Sequence, residues 1–235
     1  MKYSCYHCGA EAESRILICP WCLRTHSYGV RAVRDTPGAG SHSIATSAEL
    51  AKIPSRARGD LPPGWEALMG GWDGSPSSVL LHGVRGSGKT TLALLGSHKL
   101  FASSIYLSGE EGHGATFRKK LSDYELVSTT VRVIAARQLQ IAIAQAEADG
   151  AELLVIDSIG IVPIVEPDIV GILSQGRSLW LICHEQKDGS QYRGPAWIGH
   201  AVDIVARVDR VADGAVHGEL EKSRWGALGS FTIPI

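Results

Sequence analysis

The eight residues Gly83-Val-Arg-Gly-Ser-Gly-Lys-Thr90 fit the phosphate-cradling pattern G-x-x-x-x-G-K-S/T. Glycines at 83, 86 and 88 let the backbone fold tightly, so that successive N–H groups point at a β-phosphate, and a following helix N-terminus adds the positive end of its dipole. Lys89 would reach the β and γ phosphates, and Thr90 would hold Mg2+ through its hydroxyl. The expected nucleotide contacts are therefore Gly83, Arg85, Gly86, Ser87, Gly88, Lys89, Thr90 and Thr91, with ATP and Mg2+ as cofactors of an NTP hydrolase. A second set of reactive side chains lies near the start: Cys5-x-x-Cys8, ten residues, then Cys19-x-x-Cys22. Each pair can sit on a tight knuckle helped by Gly9 or Pro20, and two knuckles complete a tetrahedral four-thiolate zinc site. Disulfides are the alternative, disfavoured in a reducing cytosol. His7 and His26 could substitute as ligands, although four thiols at matched spacing make that unnecessary.

These groups need elements to hold them. Ser78-Val-Leu-Leu-His82 reads as a buried strand ending at the glycine loop, and Thr91 to Phe101 has the apolar spacing of a helix. A glycine-rich turn matching by accident would not require a strand before it and a helix after it. Ala151-Glu-Leu-Leu-Val-Ile-Asp157 is another buried strand that ends on an acid, the way a Mg2+-binding Walker B carboxylate is presented. Between the two, the strand at Ser104 to Ser108 leads to Glu110 and Glu111. In an open parallel sheet the C-terminal strand ends form the ligand crevice, so either carboxylate could polarise the attacking water. Helical periodicity covers Ala136 to Asp149, and further strands are expected at Val131 to Ala135, Leu179 to Cys183 and Ile204 to Val208. Strands alternating with helices imply an α/β fold with a mostly parallel sheet flanked on both faces. The turn signals Asp213-Gly214 and His217-Gly218 suggest antiparallel hairpins finishing it. Cys183, inside an apolar run, reads as a small core residue rather than a nucleophile.

At 235 residues the chain suits one medium domain plus a small appendage. The expected division is a zinc knuckle over 1–27, a linker rich in Gly, Pro, Ser and Arg over 28–58, and an ATPase domain over 59–235. A knuckle of that size cannot fold unaided, so the metal would supply much of its folding free energy. A net charge of -1 provides no global basic field, so nucleic acid would have to meet a local patch or an assembled ring that concentrates charge. No apolar h-region follows Met1-Lys2 and no stretch approaches the roughly 20 apolar residues of a membrane span, so a cytoplasmic protein without a membrane partner is expected.

The order of segments resembles the RadA/Sms family of bacterial recombination ATPases, a branch of the RecA-like fold. Cys5-x-x-Cys8-Gly9 with Cys19-Pro20-x-Cys22 looks like that family's zinc knuckles, Ser108-Gly-Glu110-Glu111 like its Ser-Gly-Glu-Glu stretch, and Ile156-Asp157-Ser-Ile159 like its Walker B segment. The resemblance assigns the catalytic base to Glu110 and a γ-phosphate sensor to His184, at the head of His184-x-x-Lys187-x-Gly189. Lys222-Ser-Arg224-Trp-Gly226 is similar to the family's Lys-Asn-Arg-Phe-Gly motif, whose two cations are implicated in reaching a neighbour's nucleotide. Three departures stand out: a chain lacking the family's C-terminal Lon-like domain is expected, Ser223 and Trp225 replace Asn and Phe or Tyr, and the segment from Ser158 to Ser178 is short and carries Pro163 and Pro167.

The resemblance implies a RadA-like ATPase acting on single-stranded or branched DNA in recombination or repair, as a homo-oligomeric ring, with six subunits expected and a recombinase as a possible partner. Candidate DNA contacts are Lys187, Gln191, Tyr192 and Arg193, a polar loop whose aromatic could stack on a base; the plain alternative is a surface loop. The rival expectation is a nucleotide-switched binding module, KaiC-like or accessory to a full-length partner, in which ATP sets oligomeric state.

Overall fold

A computed structural model describes residues 3–5, 11–12, 28–30, 61–126, 130–185, 192–226 and 228–235. By its contacts the chain divides into two compact units, Met1–Ile53 and Pro54–Ile235. In the first, three short strands, β1 (Tyr3–Cys5), β2 (Glu11–Ala12) and β3 (Tyr28–Val30), pair antiparallel in the order β2-β1-β3. The side chains of Cys5, Cys8, Cys19 and Cys22, and with them the zinc expectation, lie outside the described residues.

The second unit opens with the short helix α1 (Glu66–Met69) and continues through β4 (Ser78–Gly83), α2 (Lys89–Lys99), β5 (Ser104–Ser108), α3 (Ala115–Asp123), β6 (Val131–Ile134), α4 (Leu139–Asp149) and β7 (Leu153–Asp157). Then come α5 (Glu166–Ser174), β8 (Ser178–His184), α6 (Trp197–Ala201) and the strands β9 (Ile204–Ala212), β10 (Ala215–Ser223) and β11 (Gly229–Pro234). The sheet runs β11-β10-β9-β4-β8-β7-β5-β6, parallel from β9 to β6 and antiparallel through β10 and β11. One strand, β8, therefore separates the loop strand β4 from the acid strand β7.

Alternation along the strands builds two cores. Val79, Leu81, Tyr106, Val155 and Trp180 face α1, α2 and α3, whereas Leu80, Ile105, Leu107, Ile156 and Leu181 face α4, α5 and α6. Strands buried on both faces read as continuous apolar runs, which is why the sequence marked β4, β7 and β8 so clearly. Cys183 belongs to the second core, is fully buried, and burial pushes its thiol up to about 11, so it is inert as expected.

Several boundaries shift for local reasons. The helix expected from Ala136 begins at Leu139, because Gln138 is extended as the chain leaves β6. β9 runs to Ala212 rather than Val208, since pairing with β10 extends it beyond the parallel part. Pro167 sits in the first turn of α5, where its missing N–H costs nothing, and the Asp168 carboxylate accepts from Val165 N at 2.9 Å. Asp213-Gly214 is a two-residue hairpin between Ala212 and Ala215, with φ of 52° and 70° as a type I′ turn requires.

His217-Gly218 is not a turn. It lies inside β10 at a register shift, where the backbone is packed too closely for a side chain. A Cβ at Gly218 would fall 2.2 Å from the Arg207 carbonyl oxygen and 2.4 Å from Phe231 Cζ. Gly218→Ala should therefore destabilise the fold by about 1–3 kcal/mol, lowering the melting temperature by several degrees without changing the nucleotide loop. An unchanged melting temperature in calorimetry would contradict that packing.

Candidate nucleotide site

The glycine loop occupies the C-terminal end of β4, and α2 begins at Lys89 directly behind it. Two glycines are obligatory. Gly83 has φ of 150°, and a Cβ there would meet the Val208 carbonyl oxygen at 2.2 Å; Gly88, the N-cap of α2, has φ of 102° and faces Val211 Cγ2 at 2.5 Å. The orphan N–H groups of the first turn of α2 open on the loop, which suits an anionic ligand. Arg85 and Gly86 are exposed, whereas Ser87 and Thr91 are buried.

Lys89 is 4% exposed and donates from Nζ to the carbonyls of Gly83 at 2.9 Å and Val84 at 2.6 Å. Burial lowers its pKa from the ordinary lysine value, opposed by the charges of Asp157, Glu110 and Glu185. Across the sheet, Thr90 Oγ1 donates to Asp157 Oδ2 at 2.9 Å, and Tyr106 OH donates to the same oxygen at 2.7 Å. Burial pushes the Asp157 carboxyl above its ordinary value, while these two hydroxyls act against the shift. A hydroxyl and a carboxylate in contact, both hard oxygen donors, fit Mg2+. A cation beside Asp157 would offset the desolvation that burial imposes.

Glu110 and Glu111 part company in space. Glu111 Oε1 is paired with Lys120 Nζ at 2.7 Å, whereas Glu110 Oε2 lies 2.9 Å from His184 Nε2. The two residues assigned to base and sensor thus meet, each about 30% exposed, just beyond the end of β5 and at the last residue of β8. Tyr106 went unnoticed in the sequence. The available signal was a phenol in the middle of an otherwise apolar strand, since a buried Tyr hydroxyl needs a partner.

Lys222 and Arg224 sit elsewhere. Lys222 is level with Val205 of β9, which pairs with Leu80, and Ser223 is level with Ile204, which pairs with Val79. The strand therefore runs away from Gly83, toward the N-terminal ends of the parallel strands. Lys222 Nζ donates to the carbonyls of Gly199, His200 and Val202 at 2.8, 3.0 and 2.6 Å, closing the C-terminal end of α6. The Arg224 side chain is 57% exposed and pairs through Nη1 with Asp203 Oδ1 at 3.2 Å, while its backbone N–H donates to the Asp203 carbonyl at 3.2 Å. Asp203 is itself anchored, its Oδ2 accepting from Ser78 N and Ser78 Oγ at 2.8 and 2.7 Å.

Of the candidate DNA contacts, Lys187 and Gln191 lie outside the described residues. Arg193 is exposed. Tyr192 is anchored within its own chain: the hydroxyl donates to the Ala196 carbonyl at 3.1 Å and accepts from Gly199 N at 3.0 Å, and its ring packs against His82. Among the described residues no helix is long and apolar enough to cross a membrane.

Comparison with protein-family models and with curated proteins finds no match. Among solved structures the chain is similar to the "ATPase Domain of G40P", with a TM-score of 0.56 at 14% identity, covering 79% of this chain and 90% of that one. At that identity the likeness speaks to the fold alone: the second unit shares the architecture of that domain, a mostly parallel sheet flanked by helices, with the glycine loop at the end of β4 and the acid at the end of β7.

Proposed function

We propose that the chain is a Mg2+-dependent ATPase that works on single-stranded or branched DNA as a ring, with each nucleotide held between two subunits. The supporting observation is the convergence, at the C-terminal ends of β4, β5, β7 and β8, of Lys89, the Thr90–Asp157 pair and the Glu110–His184 pair. Lys89 leaves its two loop carbonyls for the phosphates, whose charge exceeds that of a carbonyl dipole. Glu110 accepts a proton from the attacking water, and His184, in contact with it, reports whether the γ-phosphate is present. Thr90 and Asp157 would hold Mg2+, which would supply neutralisation of the phosphate charge.

The remaining element of such a site is a cation for the transition state, and within one chain Arg224 is aimed away from the loop. Its place at the opposite ends of the strands supports donation to a neighbour. Because Lys222 already closes α6, Arg224 carries the direct contact and Lys222 holds the segment that presents it. DNA meets the loop after β8, with Arg193, Lys187 and Gln191 as contacts and Tyr192 fixing the loop's base. The RadA-like assignment adds recombination or repair as the setting, a recombinase as partner, and zinc on Cys5, Cys8, Cys19 and Cys22.

Steady-state ATP hydrolysis on single-stranded, duplex and forked DNA tests this reading. Single-stranded or forked DNA should stimulate turnover, and the stimulation should collapse between about 50 and 200 mM salt. ATP turnover indifferent to every DNA would instead favour a nucleotide-switched binding module. Metal analysis should find about one zinc per chain, lost in Cys5→Ser; a zinc-free, soluble wild type would remove the knuckle from the account.

A further inference from the structure

The nucleotide loop and the cations of one chain are joined by a side chain that belongs to neither motif. His82 is the residue of β4 immediately before Gly83 and is 4% exposed. Its Nε2 lies 2.9 Å from Glu221 Oε2, and its Nδ1 lies 3.3 Å from Glu185 Oε1, a close contact without hydrogen-bond alignment. Each carboxylate ends in a segment of interest. Glu185 follows His184, and its N–H donates to the Gly83 carbonyl at 3.1 Å. Glu221 precedes Lys222 at the register shift of β10, where Leu220 pairs with Ala206 but Lys222 already pairs with Val205. The extra residue of this bulge lets two consecutive side chains reach the same face of the sheet: Glu221 meets His82, and Lys222 meets the end of α6.

We infer that His82 is a positioning residue that couples a subunit's own nucleotide loop to the cations it presents to its neighbour; the inference rests on the shared-site reading above. Separating His82 from Glu221 strands Nε2 where the His82 side chain is only 5% exposed, so these two move together, while the Glu185 side chain, 8% exposed, packs against Nδ1 from the loop side. Glu185 is locked, whereas Glu221 is 41% exposed and borders a cleft of about 370 Å3 shared with Tyr192, His200 and Lys222, which gives it room to follow. A phosphate that shifts Gly83 or His184 therefore shifts Glu221, and Arg224, three residues on, is re-aimed.

The test compares wild type, His82→Gln, Glu221→Ala and Glu221→Gln by fluorescent ATP-analogue binding, thermal melting and ATP hydrolysis. Analogue affinity should stay within about threefold in all four, while kcat falls about tenfold or more in His82→Gln and Glu221→Ala, a loss of the size that coupling between sites produces. Glu221→Gln keeps an acceptor for Nε2 and should recover most of that turnover. Wild-type kcat in every variant, or loss of binding in parallel with kcat, overturns the inference. A wild type that binds the analogue but never hydrolyses ATP overturns the functional reading and this inference with it, whereas normal wild-type turnover with undisturbed variants overturns the inference alone.

Discussion

Lys89→Ala should lower ATP turnover by at least about 10²- to 10³-fold, the effect of deleting one preorganised donor from a developing charge. The Lys89 ammonium is buried beside the carboxylates of Asp157, Glu110 and Glu185, none of which can replace its charge. The fold should survive. The substitution removes two contacts to carbonyls of a surface loop, and the glycines that shape that loop remain. Analogue binding and hydrolysis, measured beside a melting curve, separate loss of phosphate contact from loss of structure. Turnover within tenfold of wild type, with an intact melt, would place the phosphates somewhere other than the loop between β4 and α2.

Arg224→Ala carries the second large effect. A cation delivered to a transferring phosphoryl group contributes about 10³–10⁵ in kcat, so removing it should nearly silence hydrolysis while leaving nucleotide affinity almost untouched. Stability should change little, since the lost ion pair to Asp203 is 57% exposed on the arginine side and Asp203 keeps both bonds from Ser78. Lys222→Ala should behave differently. It uncaps three carbonyls at the C-terminal end of α6, two within the helix and one at its cap, so its loss of turnover should come with a lower melting temperature.

The parts of the site that the sequence disclosed are those built from contiguous residues. The glycine loop and the acid at the end of β7 are each a strand end plus a few residues, and strands buried on both faces announce themselves as apolar runs. What joins those pieces is long-range. Glu110 and His184 meet across 74 positions because β5 and β8 flank the same strand β7. Tyr106 reaches Asp157 from a strand whose other residues are simply core, and Asp203 serves as the anchor of Arg224 only because β9 pairs with β4. Glycine was ambiguous for a physical reason. At Gly214 it supplies positive φ for a turn, while at Gly218 it supplies space against Phe231, and composition alone does not separate the two uses. Likewise Pro167 looks like a breaker until the helix is seen to start there.

The central claim is that one ATP site takes its residues from two subunits, and it is tested most directly by mixing two inactive variants. Glu110→Gln chains retain Arg224, and Arg224→Ala chains retain Glu110. If the site is shared, an equal mixture that exchanges subunits has about a quarter of its interfaces complete, since each head-to-tail contact draws its two halves independently. Hydrolysis should then rise to a measurable fraction of wild type, although neither variant turns over alone. If subunits exchange, as a labelled-chain control would establish, and the mixture stays as inactive as its components, Arg224 does not complete a neighbour's site.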